Sequence, residues 1–129
     1  MKNIKLLLLF VICTVVLFAH ELQYEHDFNK AIEKANKQHK DVMMMYSAVW
    51  CPECNYMKDI VFKDAKVSKY IQKHYIVLAL DIQKDTLPKG FDYIGIPTFF
   101  FIDKDMKEKN KIIGGSKADI FLQKLKALK

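Results

Sequence analysis

The chain has no arginine: all 21 basic residues among its 129 are lysines. Bidentate recognition of phosphates and base edges relies on the guanidinium fork. The lysines are also scattered along the chain, as a solvated surface would have them, so no nucleic-acid partner is expected. Cysteine is scarce too, present only as Cys13, Cys51 and Cys54. Cys13 lies inside an apolar run and follows Ile12, where a lipidated cysteine would normally follow a small residue, so it reads as filler. The remaining pair closes too short a loop to staple a fold. A zinc site needs about four ligands. Two cysteines, with histidines only at positions 20, 26, 39 and 74 and none at ligand spacing, do not supply them. Covalent haem would need a histidine directly after Cys54, and Asn55 stands there. No metal is expected.

The longest uncharged run is Leu6 to Ala19, behind Lys2 and Lys5. It is shorter than the roughly 20 residues of a membrane span. A basic start, an apolar stretch and a small residue before His20-Glu21 form a secretory signal. The expectation is a signal peptide over 1–19, cleaved after Ala19, and a periplasmic or secreted product; an uncleaved anchor is the alternative. Residues 20–129 then form one domain, long enough to bury a core without disulfides. Its 19 lysines exceed its 15 acidic residues.

Apolar spacing gives the elements. Phe28, Ala31, Ile32 and Ala35 recur at helical spacing after Asp27, predicting a helix over 27–38. Val42 to Tyr46 is too short for a helix and reads as a central strand buried on both faces. Pro52 suits the first turn of a helix over 52–62, with Met57, Ile60 and Val61 inward. Asp64 caps a further helix carrying Val67, Tyr70 and Ile71. Tyr75 to Leu80 and Thr98 to Ile102 are strands. Residues 83–95 are loop, and Asp103 to Asn110 a charged turn. Lys111 to Ile113 is a short edge strand, and Ser116 with Asp119 opens a last helix as a capping box. The order α-β-α-α-β-β-β-α predicts an α/β fold with a mixed sheet covered by helices on both faces.

The chemistry concentrates in Trp50-Cys51-Pro52-Glu53-Cys54. Cys51 falls at the N-cap of the helix that Pro52 begins, facing unpaired N–H groups and the positive end of the dipole. Such surroundings lower a cysteine pKa from about 8.5 to roughly 3.5–7.5 and expose a nucleophilic thiolate. Cys54, one turn on, is placed to attack a mixed disulfide on Cys51. Cys51 is thus the expected nucleophile and Cys54 the resolving thiol, with the Cys51–Cys54 disulfide as the redox group and no other cofactor. Pro97 is either an ordinary strand-start proline or a cis proline; spacing alone leaves both open. Glu53 opposes the thiolate if it lies close, or is simply solvated. Of Met43-Met44-Met45, alternate residues share a face, which suits core packing.

With Ile96-Pro97-Thr98 downstream, this motif resembles the thioredoxin superfamily. Lys40 to Met43, Met57 to Asp64, Val67 and Tyr70 are similar to exported thioredoxin-like proteins, including the C-terminal periplasmic domain of the thiol reductase DsbD. The resemblance covers about residues 27–128. It implies a thioredoxin fold with a central four-stranded mixed sheet that lacks the first strand. It implies an exposed Cys51, a shielded Cys54 and a cis Pro97 beside them. Ile96 would pair its backbone with an extended client segment, and Trp50 and Gly114 would flank that groove, while Pro52 and Glu53 tune the pair. Many relatives carry a buried acid six residues before the first cysteine; Met45 stands here. The expected activity is thiol–disulfide exchange, as a monomer. A reductant of protein cysteines, supplied by a membrane thiol reductase of DsbD type, leads; an oxidant or isomerase on the same residues is the alternative. A copper-binding assembly factor using the dithiol as ligand is the rival outside enzymes.

Overall fold

The computed structural model describes residues 21–129; the expected signal segment and Cys13 lie outside them. Five strands form one sheet in the order β1-β3-β2-β4-β5. They are β1 (Tyr24–Glu25), β2 (Asp41–Ser47), β3 (Tyr75–Asp81), β4 (Thr98–Ile102) and β5 (Glu108–Ile113). β3 runs parallel to β1 and β2, while β4 is antiparallel to β2 and β5, so the sheet is mixed. Among the described residues four helices accompany it: α1 (Phe28–Gln38), α2 (Pro52–Asp59), α3 (Ala65–His74) and α4 (Ala118–Ala127). This is the thioredoxin fold.

The pleat sorts the apolar runs into two cores. Met43 and Met45 join Phe99 and Phe101 under α2, α3 and α4, in the core that also holds both cysteines. Met44, Phe100 and Ile102 face the other way and pack with Ala31, Ile32 and Ala35 of α1. Continuous apolar strands result because both faces are covered. Burying each phenylalanine removes enough apolar surface to contribute about 1.5–3 kcal/mol.

Four expectations need correction. The sheet has five strands, not four: Tyr24 and Glu25 pair with Val77 and Leu78. Two residues carry no periodicity, so β1 leaves no sequence signal. β5 begins at Glu108, three residues earlier than predicted. It is an edge strand, and its charged residues mimic a turn while using solvent-facing positions. α2 stops at Asp59, and a 3₁₀ turn (Val61–Lys63) follows, leaving Ile60 outward and 57% exposed. α4 is not capped by Ser116: its N-cap is Lys117, with no side-chain bond, and Ser116 Oγ is buried. Two anticipated caps are present. Asp27 accepts from Lys30 N at 2.8 Å, and Asp64 accepts from Lys66 N and Val67 N, each at 3.0 Å.

Candidate redox site

Cys51 occupies the N-cap of α2 with extended backbone, φ −87° and ψ 107°. Pro52 follows in the first turn, where its lacking N–H removes a donor that the helix would leave unpaired. The Cys51 sulfur accepts from the Cys54 backbone N–H at 3.2 Å, and its carbonyl accepts from Asn55 N at 3.1 Å. One orphan donor of the helix end is therefore spent on sulfur. The two cysteines are joined by a disulfide with their Cα atoms 5.3 Å apart. The resemblance implied an open Cys51, but in the disulfide form it is only 5% exposed and Cys54 is fully buried.

The second half of the site comes from the loop before β4. The Ile96–Pro97 peptide is cis. Thr98 Oγ1 donates to the Gly95 carbonyl at 2.6 Å and closes this loop on itself. Ile96 is half-buried against both cores, and among the described residues no intramolecular backbone bond uses its N–H or carbonyl. Gly114 takes φ +83°, a left-handed value that favours glycine, and its N–H donates to the Pro97 carbonyl at 2.8 Å. Trp50 is 58% exposed, with its indole N–H donating to Gln83 Oε1 at 3.0 Å.

Glu53 is not merely solvated: its Oε1 accepts from Gly115 N at 2.9 Å. Sequence reasoning missed Gly115, although the paired glycines after β5 were its signal. Met45, where relatives carry an acid, is fully buried between Ala79 on β3 and Phe99 on β4. Two residues along β2, Ser47 accepts a hydrogen bond from Lys58 Nζ at 2.9 Å. The three consecutive methionines divide between the two cores, Met44 opposite the others. Among the described residues, no group of three or more His, Cys, Asp or Glu side chains is arranged to hold a metal.

A cysteine pair joined at a helix N-cap, on this sheet topology and with a cis proline directly before β4, defines a thioredoxin-type thiol–disulfide oxidoreductase. The family model of the thioredoxin-like domain matches residues 28–129. Thioredoxin H4-2 of Oryza sativa subsp. japonica is 32% identical over 101 residues, covering 78% of this chain and 74% of its own. The thiol:disulfide interchange protein DsbD of Campylobacter jejuni is 26% identical over 119 residues; the match spans 87% of this chain but 21% of DsbD. The oxidised C-terminal domain of Neisseria meningitidis DsbD shares the fold with a TM-score of 0.67 at 22% identity, over 83% of this chain and all of that domain. The chain belongs to the thioredoxin-like family.

Proposed function

We propose that the chain is an exported reductant of protein disulfides, periplasmic or secreted, directed there by residues 1–19. The observation that carries the exchange chemistry is the Cys51–Cys54 disulfide at the N-cap of α2, with a backbone N–H already aimed at the Cys51 sulfur. In the reduced form the Cys51 thiolate attacks a client disulfide. A Cys51–client bond forms, and one client sulfur leaves as thiolate. Cys54 then gives up its proton and attacks the Cys51 sulfur. The internal disulfide forms, the second client sulfur leaves, and solvent protons convert both client thiolates to thiols. Two electrons have passed from the dithiol to the client. The buried Met45 offers no carboxylate to take the Cys54 proton, so water or another group must do so.

The free backbone of Ile96 beside the cis proline suits an extended client segment. Similarity to DsbD favours the reducing direction and a membrane thiol reductase of that type as the electron source. The decisive experiment is trapping. Cys54→Ser should hold its client as a stable mixed disulfide through Cys51, and Cys51→Ser should abolish turnover. Full turnover by Cys51→Ser would sink the exchange reading. Reduction potential tests direction: a value near about −270 mV supports the reductant, whereas one near about −120 mV makes the protein an oxidant.

A further inference from the structure

Three consecutive backbone N–H groups follow β5, and each binds a different part of the site. Gly114 N–H goes to the Pro97 carbonyl at 2.8 Å, Gly115 N–H to Glu53 Oε1 at 2.9 Å and Ser116 N–H to Met57 Sδ at 3.4 Å. Pro97 belongs to the cis-proline loop, while Glu53 and Met57 lie four residues apart on α2. The turn thus grips the loop and the redox helix together. The thioether is a weak acceptor, which leaves Glu53 as the strong link to the helix.

Packing agrees with the hydrogen bond. A Cβ placed on Gly115 would lie 2.8 Å from Glu53 Cγ, closer than real Cβ contacts fall, and 3.1 Å from Oε1, tighter than most. Gly115, unlike Gly114, has no left-handed φ. A side chain at 115 would therefore have to push Glu53, and the Met57 sulfur 3.2 Å away, out of their places.

We propose that Glu53 is a positioning residue: through Gly115 it fixes the distance between Cys51 and the cis-proline loop that receives the client. The inference rests on disulfide exchange at Cys51 and adds no step to it. Without the tether, a client strand lying along Ile96 is no longer held in register with the sulfur that must attack it. Misplacement of reacting atoms by about 1 Å can cost a hundredfold in rate.

The test compares two oxidised substrates: insulin, with dithiothreitol as the electron source, and the small aromatic disulfide of nitrothiobenzoate, followed in single turnover with protein reduced beforehand and freed of reductant. Glu53→Ala and Gly115→Ala should each lower kcat/KM for insulin about tenfold. With the small disulfide, which needs no groove, Glu53→Ala and Glu53→Gln should agree within twofold, because both remove the same charge. Glu53→Gln keeps an oxygen acceptor for Gly115 N–H and should recover insulin kcat/KM to within threefold of the parent. In Glu53→Ala/Gly115→Ala the glycine change should add less loss than it causes alone, because only the Met57 sulfur, 3.2 Å from the added Cβ, remains to give way. The proposal falls if Glu53→Gln is as impaired as Glu53→Ala, if the double variant shows additive losses, or if Glu53→Ala keeps parental insulin kinetics. Should Gly115→Ala fail to fold, the two Glu53 variants still decide. Failure of the exchange reading is recognised separately, by turnover in Cys51→Ser.

Discussion

Tyr46 Oη and Ser116 Oγ are buried without a hydrogen-bond partner among the described residues. Tyr46 is held by its ring, edge-on to Tyr93 with centroids 5.2 Å apart and tilted on Phe100 at 4.8 Å. Ser116 is held by its backbone, pulled towards Met57. A buried hydroxyl with no partner has lost its water for no return. Tyr46→Phe and Ser116→Ala should therefore be neutral or stabilising by up to about 1 kcal/mol. Urea midpoints at unchanged slope would measure this; a loss above about 1 kcal/mol in either variant would contradict it. At this scale the redox pair is legible in the sequence, because the N-cap role of Cys51 and the spacing to Cys54 are local. The tether of Glu53 is not, since its partner Gly115 lies 62 positions away. The pairing of Trp50 with Gln83, 33 positions apart, is hidden for the same reason.

The helices differ in how their first turns are satisfied. Asp64 caps α3 with one carboxylate oxygen that accepts from two backbone N–H groups, whereas α4 starts at Lys117 with no side-chain acceptor. Asp64→Ala should cost about 1 kcal/mol. Chemical denaturation would read the loss, and amide exchange should show faster opening in the first turn of α3 than elsewhere. An unchanged midpoint would mean that the 3₁₀ turn alone fixes the start of α3. Most elements are legible because their apolar spacing is strong, as in Thr98–Ile102, whose observed bounds match the apolar run. β1 and the first half of β5 are not. Each is defined by a partner strand, not by its own side chains, and the bulge between Phe101 and Ile102 further disguises the pairing.

The whole molecule is a sheet between two cores, and burial governs its tyrosines. Tyr24, Tyr46 and Tyr75 are each pushed up to about 12, chiefly by desolvation. Nearby carboxylates reinforce this: Asp59 and Glu21 for Tyr24, Asp92 for Tyr46 and Asp41 for Tyr75. The unfolded phenols ionise near 10. Between about pH 10 and 12 the unfolded chain therefore releases protons that the folded one keeps, and the stability present below pH 10 drains away across that window. Tyrosinate absorbance should show three of the six tyrosines ionising near 12 in the native protein. All six should ionise near 10 in urea. Native ionisation of all six near 10 would refute the buried cores as described.

The sequence alone determined the class of chemistry, the α/β order and most of the core, because those depend on short-range spacing: two sulfurs one helical turn apart, apolar residues at a period of 3.6, and short unbroken apolar runs. Only the tertiary structure decided which strand lies beside which, that β1 exists, and that the β5–α4 turn ties Glu53 to the proline loop. Those are contacts between residues far apart in the chain, set when the two cores close on the sheet, and no local pattern encodes the partner of a single N–H group.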